Sequence, residues 1–333
     1  MRASQPAAAG PVAVVVLNYN GLDDTLKCLA SLRALADPAR VILVDNASVV
    51  DPTGPAREAY PGIDTLRTSV NLGYAGGNNR GIELALAQGA EWILILNNDT
   101  VVEPHIVRDL LAAFASDSTL GIVGPVVNFM EEPEAVMTDG VAFNPGPGTE
   151  FFQRIVVPVQ QPPTLVPVDI VNGCCMMVKA EVFRKVGMFD EAFFIVHEES
   201  DLCLRTQRAG FACAVLGKSL VWHKGSSSFD RSGRQLQRYF DARNLWHLLK
   251  RHTGRVGRSR GLLVSTWHYL RYAFYRYDIE LDAGKTAAAD AVMDGVIDGS
   301  CGRFGPYQPR KGPGRAPVRL LFAGARRLAR VRR

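Results

Sequence analysis

The chain has 333 residues, 47% of them hydrophobic and 21% charged, with a net charge of +5. That is the ordinary balance of a soluble globular protein, long enough for one large domain or two smaller ones, and the aliphatic run VAVVVL is far too short to cross a bilayer. The six scattered cysteines form no Cys-x-x-Cys pair, which argues for reduced thiols and against a disulfide framework or a zinc site.

Residues 1–11, MRASQPAAAGP, lack a charged region followed by an apolar core and read as a disordered leader, not a signal peptide. Val12–Asn18 predicts a strand and Leu22–Leu35 a helix. Val41–Val44 and Ile63–Arg67 are further strands. Gly77–Gln88 is a helix, Trp92–Leu96 a strand, Glu103–Ala115 a helix and Ile122–Val127 a strand. Strands alternating with helices predict βαβ units around a mostly parallel sheet, flanked by helices and Rossmann-like. From Met130 to Val168 the prolines and glycines predict a loop or hairpin excursion without long helices. Regular structure returns with a strand over Val168–Val178 and helices over Ala180–Val186 and Glu198–Ala209. Cys213–Leu216 and Leu220–Trp222 are two short strands, and Cys174 and Cys175 point to opposite faces of theirs. Beyond Arg234 the pattern is helical and basic.

Three strands end in polar clusters: LNYNG, VDNAS and LNNDT. One such ending is a turn, since Asn and Asp are turn residues, but three at one sheet edge predict a site. Between them lies NLGYAGGNNRG, whose glycines allow close backbone approach or positive φ. It departs from the Gly-x-Gly-x-x-Gly dinucleotide pattern and follows the third strand. Further on, Asp190, Glu191, Glu198, Glu199 and Asp201 place five carboxylates in twelve positions, where a helix begins. Capping of that helix explains some of them; a carboxylate beside the aromatic run FDEAFF also suits a general base. His223 ends a strand before a Gly-Ser stretch, a packed histidine or a functional one.

Taken together, VVVLNYNG, VILVDNAS, NLGYAGGNN, ILILNNDT, VNGCCMMVKAEVFRKVGMFDEAFF, HEESDLCLR and VWHKGSS resemble the family 2 glycosyltransferases, inverting enzymes of the GT-A fold, and among them the bacterial rhamnosyltransferase-like branch. The resemblance runs from about Val12 to Ser228. It implies that Asp45 reads a pyrimidine base, with Asn18 and Asn46 lining the nucleotide pocket. Asn71, Gly73 and Gly76 would belong to the loop that closes on the nucleotide. Asn97, Asn98 and Asp99 correspond to the Asp-x-Asp region, where Asp99 would hold Mg²⁺ or Mn²⁺ on the diphosphate and His223 would be a second metal ligand. Asn97 stands where the fullest motif has an acid. Gly173 and Asp190 fall at the acceptor. Glu199 occupies the place of the catalytic base, a Glu where Asp is usual, which leaves Glu198 and Asp201 as competing assignments.

The implied reaction moves a sugar, rhamnose from dTDP-rhamnose, from a pyrimidine nucleotide donor to a hydroxyl of a lipid-linked or cell-envelope glycan. A same-fold transferase using UDP-galactofuranose or a UDP-hexose is the alternative donor reading, and a catalytically inactive glycan-binding protein is the alternative of another class. No Gly-x-Ser-x-Gly or Cys-His arrangement supplies a protein nucleophile.

The expected organisation is the leader, a GT-A domain over 12–230 (a nucleotide-binding half 12–127 and an acceptor half 128–230), and a helical basic region over 231–333. From Arg231 to Arg276 there are eleven Lys or Arg against one acid, and from Arg310 to Arg333 nine against none. In the last segment Val318, Leu321, Phe322, Ala325, Leu328 and Ala329 share helical spacing, with Arg319, Arg326, Arg330 and Arg333 on another face. A basic amphipathic helix predicts an anionic membrane surface as partner; a disordered end or a contact between copies in a homo-oligomer are the competing readings. No nucleic-acid motif is present. The expected location is cytoplasmic, peripheral on the inner face of the plasma membrane.

Overall fold

The computed structural model describes residues 10–145, 150–225, 234–253, 260–310 and 312–331. Most of the predicted leader therefore lies outside the described residues. The chain forms two compact units, one from the chain up to 142 with 154–191 and 199–225, the other from 143–153, 192–198 and the chain from 226 onward.

The first unit is built on a mixed sheet. Strands β1 (Val12–Asn18), β2 (Arg40–Asp45), β3 (Asp64–Arg67) and β4 (Trp92–Asn97) are parallel, with β1 between β2 and β4. All of β1 is buried, which is why it is an unbroken aliphatic run and not an alternating one. Asn18 pairs with Asp45 and Leu17 with Asn97, so three strands reach their carboxyl ends within a residue of one another. After β5 (Thr100–Val102), β6 (Leu120–Phe129) follows. The path continues through β11 (Cys175–Lys179), antiparallel between β4 and β6, to β12 (Ala212–His223), which is parallel to β6. This is the mostly parallel GT-A sheet.

Helices α1 (Leu22–Arg33), α2 (Thr53–Ala59), α3 (Gly73–Ala87), α4 (Ile106–Ser116), α5 (Ala180–Val186) and α6 (Glu198–Arg208) connect or follow these strands. Helix α3 opens four residues earlier than its apolar spacing predicts, and its glycines have a packing reason. A Cβ on Gly77 would lie 2.5 Å from a Leu17 methyl, and one on Gly81 2.4 Å from a Val15 methyl. The helix thus sits directly on β1.

Two strand predictions need correction. Of the expected Val168–Val178 strand only 175–178 is strand, within β11, because the Asn172 side chain accepts a bond from the Cys174 amide at 2.9 Å and turns the backbone. The two short strands expected over 213–222 are one strand, β12, with register shifts between Leu216 and Ser219 and between Ser219 and Val221. Bulges of this kind bend a strand without ending it. The proline-rich excursion contains β7 (Val136–Thr138), β8 (Gly140–Phe143), β9 (Phe152–Ile155) and β10 (Leu165–Pro167), with no helix among the described residues; β8 and β9 pair with each other.

The second unit holds α7 (Arg234–Thr253), α8 (Arg260–Asp282), α9 (Thr286–Cys301) and α10 (Ala316–Val331). Its core joins Leu245, Leu249, Tyr269, Ala273, Met293 and Phe322. Phe322 of the basic tail is buried there, whereas Leu321, predicted on the same apolar stripe, is exposed. The side chains of Leu328 and Ala329 lie outside the described residues. The tail's arginines find acids from earlier in the chain: Arg310 meets Asp298, Arg315 meets Asp290 and Asp294, Arg319 meets Asp290, and Arg326 meets Asp278 and Asp282. No described helix is long and apolar enough to cross a membrane.

Residues 192–198 of this unit follow an unusual path. Phe194, Val196 and His197 have φ of 64°, 74° and 72°, the left-handed region that costs a non-glycine residue roughly 1–3 kcal/mol each. Buried Arg243 and Asn244 of α7 hold that path. The Arg243 guanidinium donates to the carbonyls of Ala192 at 3.0 Å, Phe193 at 2.7 Å and Gly305 at 2.7 Å, and the Asn244 amide donates to Phe193, Ile195 and Val196 at 2.8, 2.8 and 2.7 Å.

Candidate active site

The aligned carboxyl ends of β1, β2 and β4 form one connected polar cluster. Buried Asn18 donates to Asp45 Oδ1 at 2.9 Å and to Ser48 Oγ at 3.0 Å, and its Oδ1 accepts from Gly21 N, Thr25 Oγ1 and Asn98 Nδ2. Asn46 reaches the other way. Its Nδ2 donates to Asn71 Oδ1 and to the Gly73 carbonyl, both at 2.9 Å, and its Oδ1 accepts from Leu72 N. Gly73 has φ +74° at the start of α3, and a Cβ on Gly76 would lie 3.5 Å from the Glu191 carboxyl group. These residues join the strand ends to the loop ahead of α3.

Asp45 is the most enclosed of them. Its carboxylate is fully buried, taking Asn18 on one oxygen and the Ser48 amide at 3.2 Å and Arg67 Nε at 3.4 Å on the other. Arg67 also bridges to Asp51 and to the Ser48 carbonyl. Since the Arg67 side chain is 37% exposed, it is the movable side of this enclosure.

A second cluster forms where β5 pairs with the end of β12. That pairing sets His223 opposite Thr100, and so brings His223 Nε2 to 2.9 Å from Asp99 Oδ1. Asn97 Nδ2 lies 3.4 Å from the same imidazole nitrogen, while Asn97 Oδ1 is buried without a hydrogen-bond partner. One carboxylate, one imidazole and an unsatisfied amide oxygen suit a hard divalent ion such as Mg²⁺ or Mn²⁺. Among the described residues, three or more His, Cys, Asp or Glu do not gather around one point, so such an ion would have a lean donor set.

The third cluster faces the turn before β11. A Cβ on Gly173 would lie 3.3 Å from Glu199 Cβ, and Tyr74 Oη donates to the Gly173 carbonyl at 2.7 Å. Cys174 ties the last two clusters together: its carbonyl accepts the Asn97 amide at 2.9 Å, and its thiol is pushed up first by burial, then by the nearby charges of Asp99 and Glu199. Burial, with Asp99 contributing, also pushes the Cys28 thiol up to about 12. All six cysteines are free thiols.

The three carboxylates of α6 differ sharply. Glu198 and Asp201 are buried, and Asp201 Oδ2 accepts from Arg205 Nε at 2.7 Å. Arg205 also donates to the Val186 and Met188 carbonyls, which ties α6 to the end of α5. Glu199 is half-buried, with a single long contact from Ser200 Oγ at 3.4 Å. Successive residues turn by about 100°, so Glu199 and Asp201 point to nearly opposite sides of the helix. Asp190 is half-buried one residue ahead of a 3-10 turn; its neighbour Glu191 is held by Arg80 at 2.7 Å and Asn79 at 3.1 Å.

Lys224, Arg67, Thr25 and Tyr74 were not singled out by sequence reasoning. Lys224 Nζ grips both oxygens of Asp24 at 2.9 and 3.1 Å, and its amide donates to the Asp99 carbonyl. A lysine directly after the strand-ending histidine was the available signal; the other three become site residues only through contacts distant in sequence.

Residues 13–187 match the model of Glycosyl transferase family 2, a span from β1 through α5 that stops before Glu199 and His223. The chain is 25% identical over 279 residues to the low-salt glycan biosynthesis hexosyltransferase Agl10 of Haloferax volcanii, covering 79% of this chain and 85% of that one. It is 27% identical over 242 residues to the N-acetylglucosaminyl-diphospho-decaprenol L-rhamnosyltransferase of Mycobacterium tuberculosis, covering 66% and 77%. To galactofuranosyltransferase GlfT1 of the same organism it is 28% identical over 278 residues, covering 79% and 88%. A mannosyltransferase of Pyrobaculum calidifontis, solved with GDP-mannose and Mn²⁺, shares the fold with a TM-score of 0.51 at 14% identity, over 90% of this chain and 89% of that one.

Proposed function

The chain belongs to glycosyl transferase family 2, and on that premise we propose that it moves L-rhamnose from dTDP-rhamnose to a hydroxyl of a lipid-linked or cell-envelope glycan, inverting the anomeric carbon. The observation that carries this reading is the meeting of Glu199 with Gly173 on one side of Cys174 and of Asp99 with His223 on the other. In this reading a base and a diphosphate site flank one short turn.

In this reading Asp45 takes the ring N–H of the pyrimidine, with Asn18 and Asn46 holding the pocket and Asn71 and Gly73 closing its loop. Asp99 and His223, with Asn97 alongside, hold Mg²⁺ or Mn²⁺, whose charge offsets that of the diphosphate. The Lys224 backbone N–H holds the Asp99 carbonyl beside them. An acceptor hydroxyl rests over Gly173, with Asp190 on the acceptor side. Glu199 takes its proton as the oxygen attacks the anomeric carbon, because a neutral hydroxyl is a poor nucleophile. The sugar–phosphate bond breaks in the same displacement and the nucleoside diphosphate leaves, so no covalent enzyme intermediate forms.

Similarity to the mycobacterial rhamnosyltransferase supports the donor. Similarity to the galactofuranosyltransferase, over a longer stretch, favours UDP-galactofuranose as the second reading. A thermal-shift screen of dTDP, UDP, GDP and ADP, each with and without Mn²⁺, separates them. The largest stabilisation is expected from dTDP with Mn²⁺. A larger one from UDP selects the second reading, indifference to metal removes Asp99 and His223 from the diphosphate site, and indifference to every nucleotide leaves a glycan-binding protein.

A further inference from the structure

We propose that Arg243 and Asn244 are positioning residues for the transfer reaction: they clamp the left-handed backbone of 192–198 and so fix the first turn of α6, which carries Glu199. Three observations converge. The loop takes positive φ at Phe194, Val196 and His197, none of them glycine, so the path is unfavourable by itself. The carbonyls of Ala192, Phe193, Ile195 and Val196 are held by side-chain donors of two adjacent, fully buried residues. Buried polar groups need partners, and all three bonds that the Asn244 amide donates, with two that Arg243 donates, end on loop carbonyls, while Arg243 Nε donates to Asn244 Oδ1 and links the pair.

The flanking contacts extend the same grip. Phe194 stacks on Phe240 at 5.4 Å between centroids, and His197 stacks on Phe152 at 4.9 Å. His197 Nε2 faces Asp241 Oδ1 at 3.2 Å, and Tyr272 Oη donates to Asp241 Oδ2 at 2.7 Å. The Phe152 and Asp241 contacts both end on His197, the residue immediately before Glu198. A general base works only within hydrogen-bond reach of the proton it removes, so a slack α6 start lowers the chemical rate before it weakens donor binding. Glycine takes positive φ without steric cost, so a loop containing Val196→Gly needs the clamp less.

This inference rests on Glu199 being the base, and its test has a readout that does not. Hydrogen exchange of the full chain, without substrate, is compared between wild type, Asn244→Ala and Asn244→Ala/Val196→Gly. The alanine variant should exchange at least about tenfold faster at 195–201 with β1, β2 and β4 unchanged, and the added glycine should leave exchange fast there. In parallel, nucleoside diphosphate release is measured from the nucleotide sugar the thermal-shift screen selects, with an N-acetylglucosaminyl-diphospho-lipid as acceptor. Asn244→Ala should lower kcat at least about tenfold with donor KM unchanged, and Val196→Gly should recover part of that loss. Where the alanine variant fails to fold, Asn244→Ser, which keeps one donor, carries the same measurements. Wild-type kcat in a folded variant, a loss appearing in donor KM alone, or exchange rising evenly through the chain overturns the clamp. A wild-type chain that turns over no nucleotide sugar overturns the proposed reaction instead, and local exchange still decides whether the clamp holds α6.

Discussion

Glu199→Gln and Asp201→Asn are nearly isosteric changes two residues apart, and the structure assigns them opposite consequences. Glu199 is half-buried and makes one contact at 3.4 Å, so the amide should leave stability within about 0.5 kcal/mol of wild type. It removes the basicity that the proposed reaction needs. Loss of a general base slows turnover by about 10²–10⁴-fold, which is roughly 2.7–5.5 kcal/mol in the barrier. Asp201 is fully buried and paired with Arg205, whose remaining donors secure the end of α5. Breaking a buried pair on one side costs about 3–5 kcal/mol, a large part of a typical domain's stability. The folded fraction of Asp201→Asn should keep its rate within about tenfold, since only the seating of α6 changes. Urea unfolding supplies the stabilities, and initial rates of nucleoside diphosphate release, with dTDP affinity by calorimetry, supply the function. Near-normal turnover in Glu199→Gln together with collapse in a folded Asp201→Asn would refute the reasoning and move the base to Asp201.

Asp45→Ala should weaken dTDP binding by about 1.5–3 kcal/mol in calorimetry, and should also lower stability, because it takes the acceptor from one Asn18 amide hydrogen and from the Ser48 N–H inside the protein; unchanged dTDP affinity would take Asp45 out of the site. Asp241 gives a pH signature: burial pushes its carboxyl up, but His197, Tyr272 and Arg276 outweigh this and hold it below the ordinary aspartate range. Its contribution is therefore complete above the unfolded value of about 4 and is lost as pH falls through the lower folded value. Urea midpoints between pH 7 and pH 3 should fall less steeply in Asp241→Asn than in wild type, and equal slopes would contradict the assignment. Phe322→Ala should cost about 3–5 kcal/mol in urea unfolding, since the ring lies in the core of the second unit; an unaffected midpoint would return the tail helix to the surface.

The sequence by itself determined the parallel first half and its polar edge. Strands buried on both faces are continuous aliphatic runs, and their ends announce themselves when Asn18, Asp45 and Asn97 follow directly. The family resemblance, carried by whole motifs in order, was legible for the same reason: each motif is a local stretch at one strand end. Local patterns, however, carry no information about which side chains are enclosed. Only the tertiary structure separated Glu199 from Asp201, because Arg205 is one helical turn beyond Asp201 and its other partners lie in α5. It also brought His223 to Asp99 through a pairing between strands more than a hundred residues apart. The tail looked like an unbalanced run of charge because the acids that meet Arg310, Arg315, Arg319 and Arg326, from Asp278 to Asp298, lie in preceding helices. The left-handed path of 194–197 has no local signature at all: neither glycine nor asparagine marks it, since donors from Arg243 and Asn244, some fifty residues later, supply the stabilisation that the local sequence lacks.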